Sequence, residues 1–329
     1  MATEFETAMA ATNVAPLWNV LSSMVPASPN PLSAPTIWRY STSLRPLLIQ
    51  SGSTISAEEA ERRVLMLVNP SPSLPGAPYT TDTIYAGLQL ILPGETAPAH
   101  RHVAFALRFI VEGSKGFTAV DGHKLVMERG DVILTPSWGW HDHGNEGDGP
   151  MIWLDGLDLP VFRFLRVNFA ENFAEERYPS EAADREAERK LKIPWAEVQG
   201  SLDGNLHDVY ARYDYRLPSG VGGEEKQHLS KTISAQAERI QVGKTSPRVR
   251  ETVSFVYHVY EGEGYSTVVT PDGKEDRIEW KSSDTFSVPA WSTISHTATG
   301  GPGGSAYLFA VNDRPMIESL GLYRMDTGV

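Results

Sequence analysis

The sequence predicts an all-β protein made of two antiparallel β-barrels or sandwiches with peripheral helices. Two observations carry that expectation. Short β-rich runs (Ile84–Leu92, Leu107–Val111, Gly116–Val120, Asp131–Thr135, Met151–Leu157) alternate with Gly, Pro and Asp turns, the rhythm of a closed or sandwiched antiparallel sheet. A second region, from about Ile233 to Phe309, repeats the first. Phe255-Val256-Tyr257-His258-Val259-Tyr260-Glu261-Gly262 echoes Leu107-Arg108-Phe109-Ile110-Val111-Glu112-Gly113. Asp284-Thr285-Phe286-Ser287-Val288-Pro289-Ala290-Trp291 echoes Asp131-Val132-Ile133-Leu134-Thr135-Pro136-Ser137-Trp138. Internal duplication of one barrel accounts for both.

In chain order, residues 1–80 read as a helical and extended arm broken by Pro26, Pro29, Pro31 and Pro35. Ser56-Ala57-Glu58-Glu59 has the form of a capping box, and the helix it starts is expected to carry Arg62 and Arg63 and to end before Asn69-Pro70. A Pro-rich loop from Ser71 to Pro78 is placed at a pocket mouth. Residues 81–164 form the first barrel and 165–225 a helical connector, in which the highly charged stretch Ser180–Lys192 reads as a solvated helix. Residues 226–329 form the second barrel.

The 329 residues suffice for two domains, and 41% hydrophobic and 21% charged residues are ordinary for a globular chain. A formal charge of -12 argues against nucleic-acid or acidic-membrane partners. The absence of cysteine excludes disulfides, thiolate zinc sites and thiol nucleophiles. There is neither a signal-peptide pattern nor a run of about 18 apolar residues, so a soluble cytoplasmic protein is the expectation.

Chemistry concentrates between Gly94 and Asn145. His100-Arg101-His102 puts two imidazoles on one face of an extended strand, because side chains alternate with period two. His141, returning on a later strand, completes a three-nitrogen site. Three protein ligands leave positions open, as at a catalytic metal. Arg108, six residues past His102, shares the inward face and can hold a carboxylate through both arms of its guanidinium; a surface arginine on a barrel strand is the alternative. His143 also points inward. A fourth nitrogen ligand, a group orienting the site, and an acid/base contact to a substrate are all open to it, and the substrate-side role is preferred. Asp155 is expected to orient a site imidazole, and Gln89 to point into the site. His123, in the turn after Asp121-Gly122, is expected in solvent. His207, His228 and His258 lack ligand spacing, and Trp138 and Trp140 suit packing or an aromatic wall.

The spacings Gly94, five residues, His100-x-His102, three residues, Ala106, six residues, Gly113, and then Gly130, five residues, Pro136, with His141, three residues, Asn145, resemble the two motifs of the cupin superfamily. Ala106 stands where many cupins carry a Glu ligand, and Trp138 where the second motif usually has Gly. In the second half, Arg248 and Arg250 fall at His100 and His102, allowing one residue of slippage, and Ile294 at His141; only His296 survives, opposite His143. The second barrel is therefore read as lacking the metal and as structural or oligomeric in role, with a second ligand site as the alternative.

With both halves in view, the chain resembles bicupins of the gentisate 1,2-dioxygenase family, which includes salicylate and 1-hydroxy-2-naphthoate 1,2-dioxygenases. The carrying motifs are Asn69-Pro70, Thr83-Ile84-Tyr85-Ala86-Gly87-Leu88-Gln89, Pro93-Gly94-Glu95-x-Ala97-Pro98-x-His100-Arg101-His102, Arg108-Phe109-Ile110-Val111-Glu112-Gly113 and Pro136-x-Trp138-x-Trp140-His141-Asp142-His143-Gly144-Asn145. The resemblance implies jelly-roll barrels, a homotetramer, Fe(II) on His100, His102 and His141, and O₂-dependent cleavage of a 2-hydroxybenzoate between the carboxyl-bearing and hydroxyl-bearing carbons. It implies no flavin or nicotinamide. Tyr85 and Gly87 stand where gentisate-type members commonly have Trp and Ala, and a Gly there resembles the salicylate-cleaving type. Salicylate or a 5-substituted salicylate such as 5-nitrosalicylate is thus the expected substrate, contacted by Arg108, Gly87, Tyr85, Gln89, His143 and Trp138, with gentisate the close alternative. A non-catalytic ligand-binding bicupin would not need the triad, and a metal-dependent isomerase would usually keep the Glu that Ala106 replaces.

Overall fold

The computed structural model of the chain describes residues 3–204, 206–218 and 227–328; the boundary expected at 225/226 lies outside them. Met1–Asn30 forms one compact unit and Pro31–Val329 another. In the first, Thr3 and Glu6 cap the helix Glu4–Ala11 reciprocally, and a short helix follows at Leu21–Met24. Among the described residues no helix is long and apolar enough to cross a membrane.

The second unit contains both barrels. The first comprises β1 (Tyr85–Ile91), β2 (Thr96–His102), β3 (Ala106–Glu112), β4 (Ser114–Val120), β5 (His123–Glu128), β6 (Val132–Thr135), β7 (His141–Asn145) and β8 (Met151–Leu157). The second comprises β9 (Ser234–Gln241), β10 (Val249–Glu251), β11 (Phe255–Glu261), β12 (Glu263–Val269), β13 (Glu275–Lys281), β14 (Thr285–Val288), β15 (Thr293–Gly300) and β16 (Ser305–Asn312). Sheet orders β6-β3-β8-β1 and β2-β7-β4-β5 in the first recur as β14-β11-β16-β9 and β10-β15-β12-β13 in the second. The two halves are therefore one jelly roll used twice. At the tip between β4 and β5, Asp121 and Gly122 both take positive φ (46° and 87°), as a two-residue hairpin turn requires. That turn ends at Gly122, two residues earlier than expected, so His123 opens β5 half-buried, opposite Glu181, rather than lying in solvent.

Several segments outside the barrels complete their sheets. Thr36–Trp38 pairs with β14, Arg63–Met66 with β1, Lys192–Ile193 with β6 and Tyr210–Asp214 with β9. The helix expected to run from Ser56 toward Asn69 is correspondingly short. Ser56 caps Glu59 as foreseen, but the helix ends at Ala60 and Glu61 has φ 50°. Pairing with β1 outweighs helical propensity there, and Arg63 is buried against Glu95. The charged stretch Ser180–Lys192 is helical only over Arg185–Leu191.

The two barrels pack through the sheets containing β3 and β11. Phe109 and Phe309 stack with ring centroids 4.2 Å apart, in a core shared by both. Gly156 permits this approach, since a Cβ there would lie 2.9 Å from Val311. Crossed hydrogen bonds tie the halves together. Asp158, after β8, accepts from Thr232 before β9 and from the Phe105 amide. Asp313, after β16, accepts from Thr83 before β1 and from the Ser254 amide.

Burial pushes both of these carboxyls up to about 6. Folded values above the unfolded value of ~3.9 make the linked stability complete below pH ~4 and progressively lost as pH rises through the folded pKa. An amide keeps an acceptor for each backbone N–H and cannot ionise. The Asp158→Asn/Asp313→Asn protein is therefore expected to lose less stability between pH 4 and 7 than wild type, by on the order of a few kcal/mol. Urea unfolding at stepped pH reads this, and an unchanged pH slope would place the linkage elsewhere.

Candidate active site

The register of β2 on β7 sets the site. His100 pairs directly with His141, and alternation brings His102 to the same inward face. Ring centroids lie 5.1 Å (His100–His102), 4.1 Å (His100–His141) and 4.8 Å (His102–His141) apart. One nitrogen from each falls within 4.8 Å of the others, the one such metal-competent group among the described residues.

Local hydrogen bonds choose which nitrogen faces inward. His102 Nδ1 meets the Ala104 carbonyl at 2.8 Å and His141 Nδ1 the Gly139 carbonyl at 2.9 Å. Each bond places the proton on Nδ1 and leaves Nε2 free to coordinate. His141 Nε2 is buried without a partner, a cost a metal ion would remove. His100 lies beside the Pro98 carbonyl and also touches Arg62. Desolvation, reinforced for His100 by Arg62, holds His100 down to about 2 and His102 to about 4; burial keeps His141 well below its ordinary value as well. The imidazoles are therefore neutral at neutral pH, the form that binds metals. Donor type, protonation and the unpartnered Nε2 all fit a divalent metal with open positions, and imidazole suits iron among others.

Arg108 is buried on β3, with its guanidinium on Thr135 and its Nε 3.3 Å from Asp155. Asp155 also accepts the Trp153 indole N–H at 3.0 Å. It thus orients the arginine, where an imidazole had been expected. Desolvation raises Asp155 to about 6 despite Arg108. His143 is buried with Nδ1 2.9 Å from the Thr118 hydroxyl and its ring 5.8 Å from that of His141. The Gln89 side-chain amide N–H₂ is buried and unpartnered. Sequence reasoning missed Arg62, which was assigned to a helix; it donates to the Pro98 carbonyl at 2.6 Å. Burial, then Arg108, lowers its pKa to about 10, so two guanidiniums stand beside the triad. The chain reversal at Glu61 that turns Arg62 inward carries no sequence signal.

Tyr85 and Gly87 share one face of β1. A Cβ on Gly87 would lie 2.7 Å from the Tyr85 hydroxyl and 2.7 Å from Val64, so the phenol folds across the glycine. Of the two roles open to Trp138, packing and an aromatic wall, the structure shows packing. Its ring and that of Trp140 sandwich Arg101, which points outward between the two ligands, at 4.5 and 4.4 Å; Trp138 also packs on Phe169 at 4.7 Å. It clamps the outer face of the ligand strands instead of walling a substrate. Its φ of 66° explains why the motif usually has glycine there. His228 bridges Arg216 and Glu318, and His258 is buried against Phe109.

In the second barrel the register places Val249 and Glu251, not Arg248 and Arg250, at the positions of His100 and His102. Val249 pairs with Ile294 as His100 does with His141. Trp291 donates to the Glu251 carbonyl as Trp138 does to that of His102. The outward Arg250 over Trp291 repeats Arg101 over Trp138.

Residues 87–157 match the cupin domain family. The chain is 35% identical to gentisate 1,2-dioxygenase 1 of Aquipseudomonas alcaligenes over 98% of this chain and 95% of that protein. It is 34% identical to 5-aminosalicylate 1,2-dioxygenase of a Comamonas species, over 96% and 87%. Among solved structures, salicylate 1,2-dioxygenase from Pseudoaminobacter salicylatoxidans, as an adduct with gentisate, superposes with TM-score 0.87 at 28% identity, covering 100% of this chain and 96% of that one. Likeness that runs from end to end and embraces both barrels settles the family: the chain belongs to the gentisate, salicylate and hydroxynaphthoate 1,2-dioxygenases.

Proposed function

We propose that the protein is an Fe(II)-dependent enzyme that opens the ring of a salicylate, inserting both atoms of O₂ between its carboxyl-bearing and hydroxyl-bearing carbons. The ring-cleaving 1,2-dioxygenase class is that of the family itself; the metal's identity and the substrate are the proposal. One observation carries it: a neutral three-imidazole set with an unpartnered His141 Nε2 faces a buried guanidinium. Such a site carries net positive charge and suits an anionic, chelating aromatic acid.

His100, His102 and His141 would hold the iron, which when bound supplies Lewis acidity toward a phenol and the one-electron chemistry that O₂ requires. Arg108, fixed by Asp155 and Thr135, offers its remaining N–H groups to the substrate carboxylate, and Arg62 adds a second cation on the same side. Gln89 offers its free amide N–H₂ to an oxygen of substrate or dioxygen. His143, neutral and held at Nδ1 by Thr118, presents Nε2 for proton exchange with a substrate oxygen. Gly87 and Tyr85 together shape the wall against which the ring rests, and this pair favours salicylate or a 5-substituted salicylate over gentisate. Gentisate is the second reading, favoured by the identity to gentisate 1,2-dioxygenase. We read the protein as a homotetramer, for which the exposed apolar run Phe164, Leu165, Val167 and Phe169 offers a contact surface.

Oxygen uptake by Fe(II)-loaded protein across a panel of 2-hydroxybenzoates tests the reading. No uptake with any of them would leave a non-catalytic ligand-binding bicupin. Elemental analysis is expected to give one iron per chain, and His100→Ala, His102→Ala and His141→Ala are each expected to lose iron and turnover together, whereas His143→Ala keeps iron.

Arg108→Ala removes a charge-assisted contact of roughly 2–3 kcal/mol, so kcat/KM is expected to fall about 30- to 150-fold. Unchanged kinetics would put Arg108 outside the binding step. Gly87→Ala must displace the Tyr85 ring and press on Val64. Displacements near 1 Å can cost roughly 10²-fold, and the loss is expected to be larger for salicylates lacking a 5-hydroxyl than for gentisate. Equal losses on both would remove the support for the salicylate assignment.

A further inference from the structure

The second barrel keeps a cavity where the first keeps its triad. It is about 170 Å³ in volume, on the order of ten times what one water needs. Its walls come from β9, β10, β11 and β15, the counterparts of β1, β2, β3 and β7. Its chemistry is reversed. Glu238 stands at the position of Gln89, Tyr257 at that of Arg108, and Glu251 at that of His102. His296 occupies the place of His143 and keeps its hydroxyl partner, Ser266 at 2.7 Å for Thr118 at 2.9 Å. Tyr257 has replaced an arginine and two carboxylates have entered, while Arg212, from the strand Tyr210–Asp214 paired to β9, lines one side.

The carboxylates are not equally satisfied. Glu251 is paired with Arg314 and, at 3.7 Å, with Arg212. Glu238, 3% exposed, accepts from Gln236 Nε2 at 2.6 Å, from the Tyr257 hydroxyl at 3.2 Å and from the Tyr210 hydroxyl. Arg212 stands opposite it in the ladder and lines the same cavity, but its guanidinium pairs with Asp214 at 2.7 Å and with Glu251 at 3.7 Å and forms no ion pair with Glu238 among the described residues; His296 Nε2 stands 3.7 Å away, beyond hydrogen-bond reach. Because the Gln236 amide nitrogen is committed to Glu238, its carbonyl oxygen faces away; that oxygen is buried and has no partner. A buried carboxylate whose neighbouring guanidinium is committed to two other carboxylates, and a buried carbonyl without a donor, both lining one cavity, have room for the same thing: a positively charged N–H donor. Phe255, Tyr257 and Tyr210 supply aromatic surface beside it, which also favours a cation. Val249 and Ile294 remove two of the three nitrogens a metal would use, and no second metal-competent group occurs among the described residues. An aromatic acid, the kind of ligand the first barrel takes, would be repelled by Glu238.

We propose that the second barrel is a binding site for a small organic ammonium ion, held by Glu238 and the Gln236 carbonyl against the aromatic side chains. The site is separate from the ring-cleaving centre and uses none of its residues.

Calorimetric titration of the iron-loaded full chain with primary ammonium ions, from n-propylammonium to benzylammonium, tests this, with propionate and benzoate as charge-reversed matches. The expected result is saturable binding of at least one ammonium ion at one site per chain, no propionate binding, and benzoate confined to the first barrel, so that Arg108→Ala weakens it about 30- to 150-fold. Glu238→Gln, which restores the first barrel's amide at this position, should abolish ammonium binding and leave iron content and ring cleavage unchanged. Gln236→Leu removes the carbonyl acceptor together with a donor to Glu238, so it should weaken binding at least tenfold; it also covers the case in which Glu238→Gln fails to fold. Absence of saturable binding across the ammonium panel, or binding unaltered in Gln236→Leu or in a folded Glu238→Gln protein, would overturn the proposal.

Discussion

The register between β2 and β7 is the constraint on which the site depends. A slip of one residue would turn His100 and His102 outward and Arg101 inward, replacing the ligands with a guanidinium. The fold guards that register from outside. Arg101 is held between Trp138 and Trp140 and ion-paired to Glu171 at 2.6 Å, so the outward residue of β2 is bound to the segment leading into β7. The same device persists in the second barrel as Arg250 over Trp291, where there are no histidines to align. It therefore belongs to the architecture of the duplicated barrel, and the metal site of the first half rests upon it.

Duplication kept the sheet orders and relaxed the interior. Strand pairing depends on backbone and on alternation, both indifferent to which polar group points inward, so Gln89 and Glu238, or Arg108 and Tyr257, occupy equivalent points without disturbing the ladder. What cannot vary freely is the seam. Phe109, Phe309, Gly156 and Val311 meet there at close range, and the crossed pairs Asp158–Thr232 and Asp313–Thr83 each join the end of one barrel to the start of the other.

Much of this was legible in the sequence because it rests on period two. Strand positions, the repeated halves and the convergence of His100, His102 and His141 all follow from alternation and spacing. Other features follow from long-range pairing, which a linear reading does not contain. Arg62 and Arg63 lie in a stretch with helical composition that β1 recruits as a strand partner. Asp155 finds Arg108 on the neighbouring strand rather than an imidazole. Trp138 is drawn outward by Arg101 and Phe169. The one-residue offset that puts Glu251 rather than Arg250 opposite His102 is set by the β10–β15 pairing, below the resolution of a motif alignment.

The sheet-completing segments carry a consequence of their own. Thr36–Trp38 precedes the first barrel in the chain yet extends a sheet of the second, while Lys192–Ile193 follows the first barrel and closes one of its edges. Sequence order and spatial order are interleaved, so no single cut releases either half with all its edges covered. An ancestral unit that once stood alone has thereby become inseparable from its copy. Evolution can rewrite the interior of each half independently but can no longer trade either half as a module.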